Sequence, residues 1–574
     1  MFLWYDYVIL ALTLVCSTLI GLYFGCFGTK QSTTTEYLFG DKKMKILPIA
    51  LSLIVSHFSA VTLIGVPADV YSFGAFYWFT CLSYLLAFIL ATCLYYPVFF
   101  KTQLTTVYEY LEKRFDNRTR LFGSFLFILY GNITLPLFIY SPSLALSTAT
   151  GTRVSVTAFV ISSICVFYTA IGGLRTVVWT DIFQFVIVIT SSLVFAWIGV
   201  TSTGGFTAVW NAASAGGRLD IFDFDLDPTK KDTFWLYTFG YTLQALNFCF
   251  LSQTAMQKCL TLPTFRDCVT ALFCQLIGLC VVVSLSVFLG LTIYARYAGC
   301  DPLTSHKISK NDEIVSFYIM EIAENIPCLS GLFMASIVSA AISTISSCLN
   351  SLSGVIYKDF VSKLSRRQFT EQSAVFILKL IVVVEGVIIT SLVLLIEHLG
   401  ELIPLSNRLS GMVYGPLLGL FTLGVLFPKI NAKSAFYGAI CGLIFLSIVI
   451  LPTHYYKYHD LFEYTTKPFS VDACDWNTTI NTGTTVSSGT NATSNANTWT
   501  PFFLFRISYY YTCLIGTVVT IITAFVINQV INRNGSYADR DLISPVCHFL
   551  LPDDPETDTR VLEMLVATPK DNEN

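Results

Sequence analysis

The sequence predicts an all-α, polytopic membrane protein of about thirteen transmembrane helices. Three observations carry that prediction. Of 574 residues, 54% are hydrophobic and only 12% charged, where a soluble domain carries roughly 25% charged residues. Uncharged runs long enough to cross about 30 Å of hydrocarbon as helices recur along the whole chain. Aromatic residues are abundant, with 47 Phe and 30 Tyr, as suits lipid-facing and interfacial surfaces. The net charge of −3 says little, and no basic stretch suggests nucleic acid.

Taken in order, the spans fall near 7–27, 46–70, 75–100, 121–146, 154–173, 180–201, 234–257, 268–295, 329–356, 374–397, 402–427, 434–452 and 502–529. Residues 1–28 hold an extra N-terminal span. No Lys or Arg precedes it and no small-residue cleavage site follows, so it reads as a span rather than a signal peptide. Lys30, Lys42, Lys43 and Lys45 come directly after it, which places the N-terminus outside by the positive-inside rule. Thirteen spans then bring the polar, acid-biased tail, 530–574, to the cytoplasmic side. The charges agree: loops expected inside hold Lys101, Lys113, Arg114, Arg118 and Arg120, then Lys358, Lys363, Arg366 and Arg367. Within the two C-terminal spans of 434–529, the loop 453–501 falls outside and carries glycosylation sequons at Asn477 and Asn491. Of the 17 cysteines, Cys300, Cys328 and Cys474 lie in outside loops, where any two could form a disulfide. The six histidines show no metal-ligand spacing.

The span at 329–356 carries the most chemistry. No Asp, Glu, Lys, Arg or His lies between Asn325 and Tyr357, yet hydroxyls crowd its middle. On a helix, Ser336, Ala340, Ser343, Thr344, Ser347, Ser351 and Gly354 form one stripe. Small residues on one face serve close helix packing, with hydroxyls bonding back to the preceding turn. Alternatively, the adjacent hydroxyls of Ser343 and Thr344 offer oxygens to a cation. Two neutral hydroxyls do not offset the desolvation of a bare ion, on the order of tens of kcal/mol. Such a site also needs carbonyls freed by an unwound helix, which membranes tolerate only beside a cavity.

The run "ILPIALSLIVSHFSAVTLIGVPADV" meets that requirement. It contains Pro48, Gly65 and Pro67 around a polar centre. There Val55 to Ser59 can supply carbonyls and Thr62 a hydroxyl, while His57 reads as a buried hydrogen-bonded residue or a substrate contact. Counting from this span, five spans fill 46–201 and five more fill 234–427. Transporters built from inverted five-span repeats place broken helices at matching positions of the two halves. The sixth, "FGYTLQALNFCFLSQTAMQK", is polar through Gln244, Asn247, Ser252 and Gln253, where the second broken helix belongs.

These residues resemble the sodium/solute symporter family over roughly 5–530. The strings "SHFSAVTLIGVPADVYSFGA", "TTVYEYLEKRFDNRTR", "YTAIGGLRTVVWTDIFQ" and "YAGCDPL" are similar to its iodide, monocarboxylate and multivitamin branch. The resemblance implies a LeuT-like 5+5 inverted repeat with flanking helices. It also implies a sodium site made of the carbonyls of Val55 and Phe58, with Ala340, Ser343 and Thr344 opposite; the "LNS" at Leu349–Ser351 fixes that register. Asp181 and Gln184 take the family's "WTD..Q" positions, as an ion path or inner gate, and Gly172 and Gly173 serve a tight turn. Near the second break the chain departs from the family, with Ser252 for an Asn, Lys258 for an Arg and Phe248 at an aromatic gate. Arg408, just inside a span, reads as a snorkelling residue or a fixed cation facing an anionic substrate.

The expectation is therefore a plasma-membrane, sodium-coupled symporter of a small anionic organic solute, a monocarboxylate or a vitamin such as biotin or pantothenate. Sodium is the coupling ion, and no other cofactor is implied. A sodium/iodide-type carrier and a transporter-fold solute sensor are the alternatives. A channel would need a continuous polar pore, whereas the polar positions converge on one depth. No nucleophile–base or metal motif suggests an enzyme.

Overall fold

Backbone amides in hydrocarbon have no water to bond, so each apolar run resolves into helix. The computed structural model describes residues 2–27, 33–40, 44–324, 326–364, 369–396, 402–459, 464–474, 501–531 and 537–552, and no strand occurs among them. The principal helices are α1 (Trp4–Leu22), α2 (Ile46–His57), α3 (Ala60–Phe73), α4 (Thr80–Leu90), α5 (Asn117–Thr150), α6 (Val154–Ser202) and α7 (Gln253–Cys259). They continue as α8 (Phe265–Tyr297), α9 (Leu329–Val355), α10 (Glu371–Ile396), α11 (Leu402–Leu426), α12 (Ala432–Tyr458) and α13 (Thr512–Ile531). The sequons at Asn477 and Asn491, and the basic residues 30, 42, 43, 366 and 367, lie outside the described residues.

By length and apolarity eleven spans are present among the described residues, counting α2 and α3 as one bent span; the sequence leads one to expect thirteen. Two places account for the difference. α6 is two helices, matching the expected pair of spans, joined without a loop at a kink at Gly173 (φ 56°, ψ −161°) and so counted once; that backbone conformation is one only glycine adopts without strain. Residues 236–259 consist of short π and α pieces rather than one long helix.

Breaks and caps follow from local chemistry. α2 and α3 meet at 56°, with Phe58 (φ −110°, ψ 90°) and Ser59 (φ −85°, ψ 167°) extended between them. The second break is at Ser252 (φ −59°, ψ 150°), whose Oγ accepts from the Ala255 amide at 3.2 Å and starts α7. Asp116, Thr264 and Asn431 cap α5, α8 and α12 in the same way, at 2.8, 3.1 and 2.7 Å.

Two features mark the ends of the bundle. At one end Cys300 and Cys474 form a disulfide, and Cys328 is free. The segment 464–474 lies there against α3: Lys467 N donates to Ser72 O (3.0 Å), and Phe469 stacks on Tyr71. At the other end the buried Asp359 accepts from Arg120 and Ser124, while Arg120 also reaches Glu109 and Glu112. Small residues let helices close up between these ends. A Cβ on Gly415 of α11 would stand 2.9 Å from the Cα of Gly516 on α13, the close approach typical of membrane helix pairs.

Candidate functional site

The first break opens beside the segment that precedes the second. Between them lies a cavity of about 60 Å³ lined by His57, Ser59 and Thr62 at the first break and by Gln244, Ala245 and Phe248, four to eight residues before the break at Ser252. Tyr77, Tyr84, Tyr130, Tyr241 and Tyr414 add phenols, and Ser406, Asn407 and Ser410 come from α11. No Asp, Glu, Lys or Arg is among these lining residues. His57 is held by its Nδ1 contact with the Leu53 carbonyl (2.8 Å) and stands edge-on to the Phe248 ring at 5.2 Å. A second cavity, of about 200 Å³, lies beside the C-terminal half of α3, between Asp69, Lys231, Tyr464 and Phe469.

Beside the first break, the five residues named for sodium are all buried: Val55, Phe58, Ala340, Ser343 and Thr344. Val55, Phe58 and Ala340 pack in one cluster with Leu63, Val188 and Val282, so the unwound segment and α9 face each other there. The carbonyl of Val55 accepts a long bond from Phe58 N (3.4 Å). Thr344 Oγ1 donates to Ala340 O at 3.1 Å, leaving its lone pairs open. Gln184 is fully buried, and neither its amide nitrogen nor its amide oxygen has a hydrogen-bond partner. Buried polar atoms are normally paired, and Gln184 departs from that rule.

Asp181, fully buried, is the hub. It accepts from Ser52 Oγ (2.5 Å), Ser56 Oγ (3.2 Å), Ser343 Oγ (2.6 Å) and Ser347 Oγ (3.3 Å). Lys258 completes the set, with Nζ 3.0 Å from Asp181 Oδ2. Sequence reasoning had assigned Ser347 to packing; the structure corrects this, because its Oγ also accepts from Lys258 Nζ at 2.8 Å. Ser336 and Ser351 do bond back to their own helix, to Phe333 O and Ser347 O. Ser52, Ser56 and the part played by Lys258 were missed. The available signal was electrostatic: an intramembrane lysine calls for a counter-charge, and Asp181 was already singled out.

Three other named residues stand away from the cavity lining. Ser252 caps α7. Gln253 accepts from the Val107 amide at 2.8 Å, tying the second break to the loop before Tyr108. Arg408 is buried and outside the cavity lining, with its guanidinium 5.8 Å from the Tyr509 ring centroid.

The comparisons agree with this architecture. A model of the sodium:solute symporter family matches residues 37–442. Sodium-coupled monocarboxylate transporter 2 of Mus musculus is 34% identical over 547 residues, covering 95% of this chain and 87% of the relative. The sodium-dependent multivitamin transporter of Oryctolagus cuniculus is 35% identical over 441 residues, 76% of this chain and 69% of the relative. Among solved structures, a Na+-coupled sialic acid symporter in a substrate-bound, outward-open state superposes with a TM-score of 0.73 at 21% identity, over 93% of this chain and 98% of that one. Two broken helices meeting at a shared cavity, the family match and the extent of the relatives coincide: this chain belongs to the sodium:solute symporter family.

Proposed function

We propose that this multi-pass protein is a plasma-membrane, sodium-coupled symporter of small monocarboxylates, with its N-terminus outside and its C-terminus in the cytoplasm. The observation that carries the reading is the extended backbone at Phe58–Ser59 set against the hydroxyls of α9, beside a cavity with no charged lining residue. In this reading sodium binds the carbonyls of Val55 and Phe58, the Ala340 carbonyl and the hydroxyls of Ser343 and Thr344. Bridging the unwound segment to α9 stabilises one side of an alternating-access cycle. Substrate lies against His57, Thr62 and Phe248, where phenols and amides donate to its carboxylate. Each positive charge carried inward gains roughly 2.3 kcal/mol per 100 mV.

The relatives favour one class of anion. Sodium-coupled monocarboxylate transporter 2 matches 95% of this chain and the sodium-dependent multivitamin transporter 76%, so a short monocarboxylate is proposed ahead of biotin or pantothenate. The test is direct competition. Sodium-dependent uptake of labelled lactate should be blocked by other short monocarboxylates and little affected by biotin, pantothenate or iodide. Competition by the vitamins alone would overturn that choice. Ser343→Ala with Thr344→Ala should abolish sodium-dependent uptake while the protein reaches the cell surface; unchanged sodium affinity would reject the ion site.

Asp181 and Gln184 line the inner approach to the ion in this reading. Arg408 acts through its field, from outside the cavity lining. Arg408→Gln should raise the KM for the carboxylate by about fivefold, corresponding to roughly 1 kcal/mol, and leave the sodium dependence in place. An equal loss of both would assign Arg408 to structure. The sequons Asn477 and Asn491 are proposed as glycosylated, which a mobility shift on deglycosylation tests.

A further inference from the structure

Lys258 follows the second break by six residues and is fully buried. Its ammonium lies within hydrogen-bond distance of four oxygens, Ser56 Oγ (2.5 Å), Ser347 Oγ (2.8 Å), Asp181 Oδ2 (3.0 Å) and the Ser52 carbonyl (3.3 Å), which its three N–H groups share. These four oxygens come from three helices, α2, α6 and α9, and one of them is anionic. An alkali cation asks for the same surroundings: several hard oxygens, a negative charge among them, away from water. Lysine is a compact point charge on a flexible stem, and here the stem delivers that charge into the cage.

We infer that Lys258 is a tethered cation filling a second cation position beside the sodium site, so that Asp181 serves the ammonium and takes no ion of its own. The inference rests on the sodium-coupled reading above. Ser343 connects the two positions. Its proton is committed to Asp181 Oδ1 at 2.6 Å, which turns its oxygen lone pairs towards the ion proposed between α9 and the first break. An ammonium and a sodium ion in one cage would share a single carboxylate at about 3 Å, where like charges repel strongly in low dielectric. The fixed charge therefore excludes the mobile one. Lys258 and Asp181 together contribute no net charge to the cycle, and the chain carries one ion fewer than the same cage would without its lysine.

The experiment counts sodium ions bound per purified full-length chain, with radioactive sodium in lipid nanodiscs. Lys258→Met, which leaves the carboxylate and three oxygens free, should bind one sodium more than the wild type. Adding Asp181→Asn should return the count to the wild-type value. An unchanged count in Lys258→Met would overturn the inference, as would loss of one sodium in Asp181→Asn alone. If the lone buried carboxylate prevents Lys258→Met from folding, the neutral double variant decides: a wild-type count supports the tethered cation, and one sodium fewer rejects it. A wild-type protein that binds no sodium would instead overturn the sodium-coupled reading itself, and this inference with it.

Discussion

Ser347 lies in the same small-residue stripe as Ser336 and Ser351, yet its hydroxyl contacts Lys258, Ser56 and Asp181 on three other helices. The helical period tells which face these serines share; it does not tell which of them meets a charge. That information sits in the partner, on a segment far away in sequence. Ser343 and Thr344 stand out in the sequence, as candidates, because two adjacent hydroxyls opposite a breakable helix have a distinct chemistry. Ser52 and Ser56 were not, since serines four apart in an apolar run look like ordinary back-bonding residues. Ser347→Ala removes one of the four oxygens around a buried ammonium. A hydrogen bond to a charged group is worth roughly 1.5–3 kcal/mol, so the purified protein should melt at a lower temperature. Ser351→Ala, which loses only a bond within its own helix, should stay close to wild type.

At the scale of elements, the two breaks were readable because each combines polar residues with a helix-ending signal inside an apolar run. Pro67 and the "SHFS" centre mark the first, and the capping Ser252 marks the second. The junction between the spans near 154–173 and 180–201 is harder to read from sequence, because the two helices meet directly at the kink at Gly173 with no polar loop between them. The tight turn expected of Gly172 and Gly173 is present at Gly173 as a positive φ. Gly173→Ala should cost about 1–3 kcal/mol through backbone strain, read as a lower thermal midpoint and reduced surface expression. Wild-type stability in that variant would mean that the bend can be made with ordinary backbone angles.

At the scale of the whole molecule, the disulfide pairs two of the three cysteines the sequence left open, across a separation of 174 residues. Spacing alone cannot choose among Cys300, Cys328 and Cys474; the fold does, by bringing the segment 464–474 to the loop after α8, where Asp301 N donates to Ser470 O at 2.9 Å. Cys300→Ser, Cys474→Ser and the double variant should lose the same stability, roughly 2–5 kcal/mol, because each removes the same link. Additive losses would argue that the thiols act separately. The cavity with no charged lining residue has a further consequence for how well the two fluxes stay in step. A carboxylate entering alone would find hydroxyls and amides but no positive charge to replace its hydration, so the empty protein should admit it poorly. With sodium seated beside Phe58, as proposed above, the same cavity would become electropositive and the anion would follow. Loading would then be ordered, ion before solute, and a carrier loaded with solute alone would be too scarce to slip across and dissipate the gradient.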